Sequence, residues 1–142
     1  MTTLTLVRGL PGSGKSTIAK ALRVAYGTAV TEHYEADMFF VGADGSYNFD
    51  ANRLYAAHQW CQGITDEMLF YKKNVIVSNT FTTLKEMRPY YEIAQKNGAT
   101  FNVILCQSNF GNIHDVPVES LDRMKNRFAY DLSGLFEGNK DA

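Results

Sequence analysis

The chain predicts an α/β fold: a mainly parallel sheet covered by helices in three layers. Two observations carry that expectation. Short apolar runs rich in β-branched residues alternate with amphipathic helical stretches along the chain. A glycine-rich segment also stands between the first apolar run and the first helical stretch. The length of 142 residues fits one domain over 1–142.

Leu4 to Val7 is a buried strand ending at Gly9. Ser16 to Tyr26 is a helix with Ile18, Leu22 and Tyr26 on one face. Ala29 to Tyr34 reads as a second strand, and Asp44-Gly45-Ser46 as a turn in an irregular stretch. Ala51 to Lys73 is the clearest helix, because Leu54, Ala57, Cys61, Ile64, Met68 and Tyr71 recur every three or four residues. Asn74 to Val77 is a β-branched strand. Thr83 and Glu86 have the spacing of a capping box, although Pro89 requires that helix to kink or begin late. Thr100 to Leu105 is another strand, Gln107 to Val116 a polar loop, and Pro117 opens a final helix with Leu121, Met124 and Phe128 on one face.

The composition is that of an ordinary globular chain, 45% hydrophobic and 20% charged. It excludes a disordered chain, a collagen-like repeat and a disulfide scaffold. Nowhere do 18 apolar residues run together, and no basic, apolar leader opens the sequence, so the expected setting is cytoplasmic and not membranous. Cys61 and Cys106 read as buried free thiols. Three histidines and two cysteines are too scattered for a zinc site. A formal charge of −1 argues against a strongly basic surface for nucleic acid.

Gly9-Leu10-Pro11-Gly12-Ser13-Gly14-Lys15-Ser16, followed by Thr17, fits G-x-x-x-x-G-K-[ST]. The spacing has a chemical reason. Glycines let the backbone wrap a phosphate with N–H groups pointing inward, and the next helix offers its positive end to the same anion. Lys15 reaches the β- and γ-phosphates of ATP, and the Ser16 hydroxyl is a ligand for Mg²⁺. Asp37 lies just past the second strand, where ligands of such sheets bind. It reads equally as a base taking a proton from an attacking hydroxyl and as a helix N-cap. Phe39, Phe40, Tyr47 and Phe49 form an aromatic group that reads as a small satellite core or as a stacking platform for a base. His58 reads as a helix-packing or surface histidine, His114 as a plain loop histidine or, when protonated, a donor to a phosphate, and Arg53 as a solvated helix start or as facing an acceptor phosphate.

These residues together give the chain a resemblance. It resembles small P-loop kinases of the polynucleotide-kinase-like group, many of which carry only an AAA-type ATPase label. The likeness runs through the Gly9–Thr17 loop, Glu35-Ala36-Asp37-Met38-Phe39, Tyr47-x-Phe49-Asp50, Ala57-His58-x-Trp60-Cys61, Asn74 to Val77, Asn79-Thr80, and Val116-Pro117 leading into Arg123 and Arg127. The resemblance implies a four- or five-stranded sheet, a lid over about 107–116, and Asp37 as general base on a 5′-hydroxyl. It makes Arg123 and Arg127 candidates for facing the nucleotide. The implied activity is ATP·Mg²⁺-dependent phosphoryl transfer, to a polynucleotide 5′-hydroxyl first, then a hydroxymethylated DNA base or a small nucleoside or nucleotide. A non-catalytic nucleotide-binding module is the competing class; an oligomeric mechanical ATPase fits less well, since the chain is short for its additional helical domain and carries no separate Walker-B carboxylate run. Three departures stand out, one being that the lid stretch Ser108 to Asp115 holds no arginine where such kinases carry them. Ser78-Asn79-Thr80-Phe81 carries no carboxylate at the end of the third strand, and Phe40 occupies the place of an acceptor-gripping arginine.

Overall fold

A computed structural model describes residues 1–108 and 116–136. Four strands, β1 (Thr3–Arg8), β2 (Thr31–Tyr34), β3 (Asn74–Asn79) and β4 (Thr100–Leu105), form one sheet in the order β2-β3-β1-β4. Every pairing is parallel, with Leu4 opposite Val75 and Phe101, and His33 opposite Ile76. Parallel neighbours need crossovers. These are α1 (Lys15–Tyr26), α2 (Leu54–Phe70) and α3 (Leu84–Lys96); α4 (Val118–Arg127) follows β4.

Strand alternation sorts the core into two layers. Leu4, Leu6, Val75 and Val77 pack beneath Cys61 and Leu69 of α2 and Met87, Tyr90 and Ala94 of α3. Val7 and Ile76 point the other way and meet Ala19 of α1. Both cysteines are free and buried. Three layers and a central β1 therefore put the strand ends of β1, β2 and β3 side by side.

Several expected boundaries shift for local reasons. The long helix begins at Leu54, after a 3-10 turn over Ala51–Arg53, and stops at Phe70. Lys72 takes a φ of 66°, which no helix can accommodate. The second strand starts at Thr31, whereas the third extends to Asn79. The Thr83–Glu86 capping box forms as the spacing predicts, and α3 starts at Leu84 with Pro89 inside it. The helix therefore does not begin late. Phe128 falls just beyond α4, at its C-cap.

Candidate functional site

The glycine-rich loop leaves the buried end of β1. Gly12 and Gly14 adopt φ of 80° and 89°, so L side chains would be strained there. At Gly9 the constraint is space, since an added Cβ would fall on Ser13 Oγ and 2.6 Å from the Cys106 carbonyl oxygen. Ser13 N donates to the Leu10 carbonyl at 3.1 Å, which closes the loop around Pro11, and Gly14 caps α1. No acidic residue occupies the first turn of α1, so its positive end carries no competing side-chain charge. Lys15 Nζ folds back to donate to the Leu10 carbonyl at 3.0 Å. Burial lowers the Lys15 ammonium's pKa, and Glu35, Cys106 and Asp37 oppose that shift. Thr17 is exposed on the first turn.

Ser16 points across to β2. Its hydroxyl donates to Glu35 Oε2 at 2.5 Å. The same carboxylate oxygen accepts from the Ser78 hydroxyl at 2.8 Å, and His33 Nε2 lies 2.7 Å from Ser78 Oγ and 3.5 Å from Glu35 Oε2. Burial lowers the His33 pKa, with Glu35 opposing. A hydroxyl and a carboxylate beside a phosphate-wrapping loop are hard oxygen donors, the set that suits Mg²⁺. The expected gap at the end of the third strand is thus bridged. Ser78 stands there, and Glu35 reaches across from just past the end of β2. Sequence reading gave Glu35 no role, although strand alternation places His33 and Glu35 on the face of Ile76 and Ser78.

Asn79, at the strand end where a carboxylate is missing, has its Oδ1 committed to the backbone. Its Oδ1 accepts the Ala36 backbone N–H at 2.9 Å and fixes the start of a 3-10 segment over Ala36–Phe40. The Thr80 carbonyl accepts Gly9 N–H at 3.3 Å. Asp37 lies inside that segment, not at its N-cap, which is Glu35. The Asp37 carboxylate is exposed and accepts from the Tyr47 hydroxyl at 3.4 Å. The structure therefore removes the capping alternative for Asp37.

Arg127 and Arg123 are placed differently from the loop. Arg127 Nε donates to Thr82 Oγ1 at 2.9 Å, within the network where Glu86 accepts from Thr82. Arg123 is exposed and bonds Ser120 one turn back on its own helix. His58 is exposed on α2. Of the expected lid over 107–116, residues 109–115, including His114, lie outside the described residues.

Sheet order, loop and strand-end carboxylates define a P-loop protein of the kinase type. The chain belongs to the AAA domain family, a family of P-loop kinases, whose model matches residues 4–110. It is 34% identical over 134 residues to human NEDD4-binding protein 2, covering 85% of this chain and 7% of that protein. Among solved structures it is similar to a chain of the Pnkp1/Rnl/Hen1 complex, with a TM-score of 0.61 and 21% identity, over 86% of this chain and 38% of that one. It is also similar to the Mycobacterium tuberculosis APS kinase CysC in complex with AMPPNP and APS, with a TM-score of 0.57 and 15% identity, over 86% and 67% of the two chains. The chain thus spans a small part of the first two. Among the described residues, no helix is long and apolar enough to cross a membrane.

Proposed function

We propose that the chain transfers the γ-phosphoryl group of ATP to a hydroxyl, with a polynucleotide 5′-hydroxyl as the acceptor. The observation that carries this reading is the spacing of two carboxylates. Glu35 turns inward to Ser16, and Asp37, two residues on, stays exposed. One carboxylate is committed to the phosphate loop, and the other, met by the Tyr47 hydroxyl, stays open to solvent and can take a proton. The similarity to the Pnkp1 complex chain and to an APS kinase supports a phosphotransferase.

In this mechanism the backbone N–H groups of Gly12 to Ser16 hold the phosphates, and Lys15 leaves the Leu10 carbonyl to neutralise charge on the transferred group. Asp37 accepts the proton of the acceptor hydroxyl. That oxygen bonds to the γ-phosphorus, the bond to the β–γ bridging oxygen breaks, and ADP departs. Ser16 and Glu35 are the residues that would hold Mg²⁺, whose chemistry when bound is to offset phosphate charge. Arg127 and Arg123 would approach the nucleotide from α4, after Arg127 gives up Thr82. The cell compartment consistent with this reading is the cytoplasm.

The test is transfer of label from γ-labelled ATP, with Mg²⁺, to 5′-hydroxyl DNA and RNA oligonucleotides, hydroxymethyluracil DNA and nucleosides. Lys15→Ala is the control. Label on a 5′ end supports the reading, and label on another acceptor corrects the substrate. Nucleotide binding with no label on any acceptor refutes the kinase and leaves a nucleotide-binding module.

A further inference from the structure

The sheet has two edges, and the chain treats them differently. An edge strand offers a row of unpaired N–H and C=O groups to any other extended chain. Natural sheets blunt that row with short strands, charges or a covering group. The outer edge of β2 has all three. The strand is only four residues long. Asn74 N–H donates to the Val30 carbonyl at 2.8 Å, so alternation turns the Thr31 carbonyl outward. Arg23 Nε covers that oxygen, donating to it at 2.8 Å. Glu32 adds a charge, held 3.6 Å from Lys73.

β4 carries none of these devices. Its run Thr100-Phe101-Asn102-Val103-Ile104-Leu105 has no charge and no proline, and most of it is β-branched or aromatic. Backbone bonds fix which groups face out. Thr100 N–H donates to the Thr2 carbonyl at 2.9 Å, and Cys106 N–H to the Arg8 carbonyl at 2.8 Å. Even-numbered residues therefore pair with β1. The N–H and C=O groups of Phe101, Val103 and Leu105 point away from the sheet. Among the described residues, no strand pairs with that edge. Apolar surface continues it on the α3 side. Leu105 is 37% exposed and Phe136 52% exposed, and the Phe136 ring lies 6.2 Å from Phe101 and 5.4 Å from Tyr91.

The outward groups are self-complementary. A second β4, set antiparallel about a dyad at Val103, pairs Val103 with the partner's Val103 and Phe101 with the partner's Leu105. Each such pair exchanges both of its N–H···O bonds. Phe101 then lies against the partner's Leu105, an aromatic–aliphatic cross-strand contact. The run Phe101, Val103, Leu105 is apolar at every place, so it meets its own reverse with no polar group opposite an apolar one. On the other face Asn102 stands diagonal to the partner's Asn102, and no charge meets its like. From this geometry we infer that the outer edge of β4 binds the β4 of a second copy of this chain, antiparallel about Val103, joining two four-stranded sheets into one. The contact is isologous, and the covered edge of β2 stops assembly at two. Antiparallel strands send the two phosphate loops to opposite ends, so both loops stay open and the inference is separate from the kinase reading. One short edge with Leu105 and Phe136 lies at the small end of specific interfaces, which gives a Kd on the order of 10–100 µM.

Sedimentation velocity from about 1 to about 500 µM brackets that Kd and should show monomer giving way to dimer and nothing larger. Asn102→Lys and Asn102→Asp should each weaken the dimer about fivefold or more, because each sets like charges on the diagonal. An equimolar mixture of the two should dimerise about as well as wild type. Asn102 is exposed, so both variants should fold, which circular dichroism verifies. Amide hydrogen exchange reads the register. Phe101, Val103 and Leu105 should gain protection as concentration rises, whereas Asn102 and Ile104 are protected throughout by β1. A monomer at every concentration would overturn the inference. So would a dimer that both variants leave intact, or odd-numbered amides that exchange alike in monomer and dimer. Odd-numbered amides protected even in the monomer would overturn it in favour of another segment of the chain on this edge. Assembly beyond two would replace the dyad with a head-to-tail contact. Label transfer from ATP is assayed apart, and its outcome bears on the kinase reading alone.

Discussion

Arg8 ends β1 at 1% exposure, immediately before the phosphate loop. Its Nε and Nη2 donate to the Phe81 carbonyl at 2.9 and 2.8 Å, and its guanidinium carbon lies 4.1 Å from the centroid of the Phe128 ring. Phe81 holds a φ of 46°, a costly conformation for a bulky residue, and Arg8 pins the carbonyl of that residue. Arg8→Met keeps the apolar stem and removes the head. A charged donor pair to one carbonyl contributes about 1.5–3 kcal/mol, and a desolvated cation–π contact about 1–2 kcal/mol. Against this, burial lowers the guanidinium's pKa, so relief of desolvation returns part of the loss. The net expectation is a destabilisation of about 2–3 kcal/mol, or a drop in Tm of about 5–10 °C for a domain of this size. Urea unfolding measures it. A double-mutant cycle with Phe128→Leu should give a coupling of about 1 kcal/mol. A loss under about 0.5 kcal/mol, or no coupling, would refute the claim that Arg8 fastens the loop after β3 to the end of α4.

Three further outcomes are expected. Asp37→Asn should leave ATP affinity within about twofold and slow transfer by about 10²–10⁴-fold; loss of ATP binding in calorimetry would remove Asp37 from the role of base. Glu35→Gln should weaken ATP binding about tenfold with Mg²⁺ and spare it in EDTA, because the variant loses the charge next to Ser16 while keeping a hydrogen-bonding oxygen. Equal losses in both conditions would assign Glu35 to loop structure alone. For the metal-free chain, burial holds His33 below its usual pKa of about 6.5, so just below that pH the unfolded chain binds the extra proton. His33 therefore favours folding above about pH 6.5, and that contribution is lost as the pH falls through the lowered folded pKa. The slope is at most about 1.4 kcal/mol per pH unit. Urea midpoints between pH 5 and 7 should drop accordingly and flatten in His33→Gln; midpoints that rise on acidification would reverse the sign.

What could be read in advance was what neighbouring residues decide. The phosphate loop and the Thr83–Glu86 cap are local patterns, and each forms as its spacing predicts; the α2 stripe holds at Ala57 and Cys61 but drifts to Thr65 and Leu69, leaving Leu54 and Tyr71 exposed. Boundaries were harder where a single backbone angle ends an element, as at Lys72. Glu35 was illegible because its position depends on two facts that no window contains. One is that β2 lies beside β3, and the other is that His33 and Ser78 share the face covered by α1. Arg8 was hidden for a related reason. A charged residue ending an apolar run reads as the edge of a strand, and only the long-range contacts with Phe81 and Phe128 explain its burial.

The placement of Glu35 and Asp37 two residues apart has a consequence for how this scaffold can be altered. Both are set by the end of β2 and by Asn79, whereas the aromatic group after them, with Arg53, comes from residues 39–53. Residues 41–53 reach the pair through the Tyr47 hydroxyl on Asp37, so that stretch can be exchanged as a cassette, with Tyr47 kept, while the two carboxylates keep their spacing. A library confined to that stretch varies the exposed aromatic segment while the Glu35 bond to Ser16 stays in place.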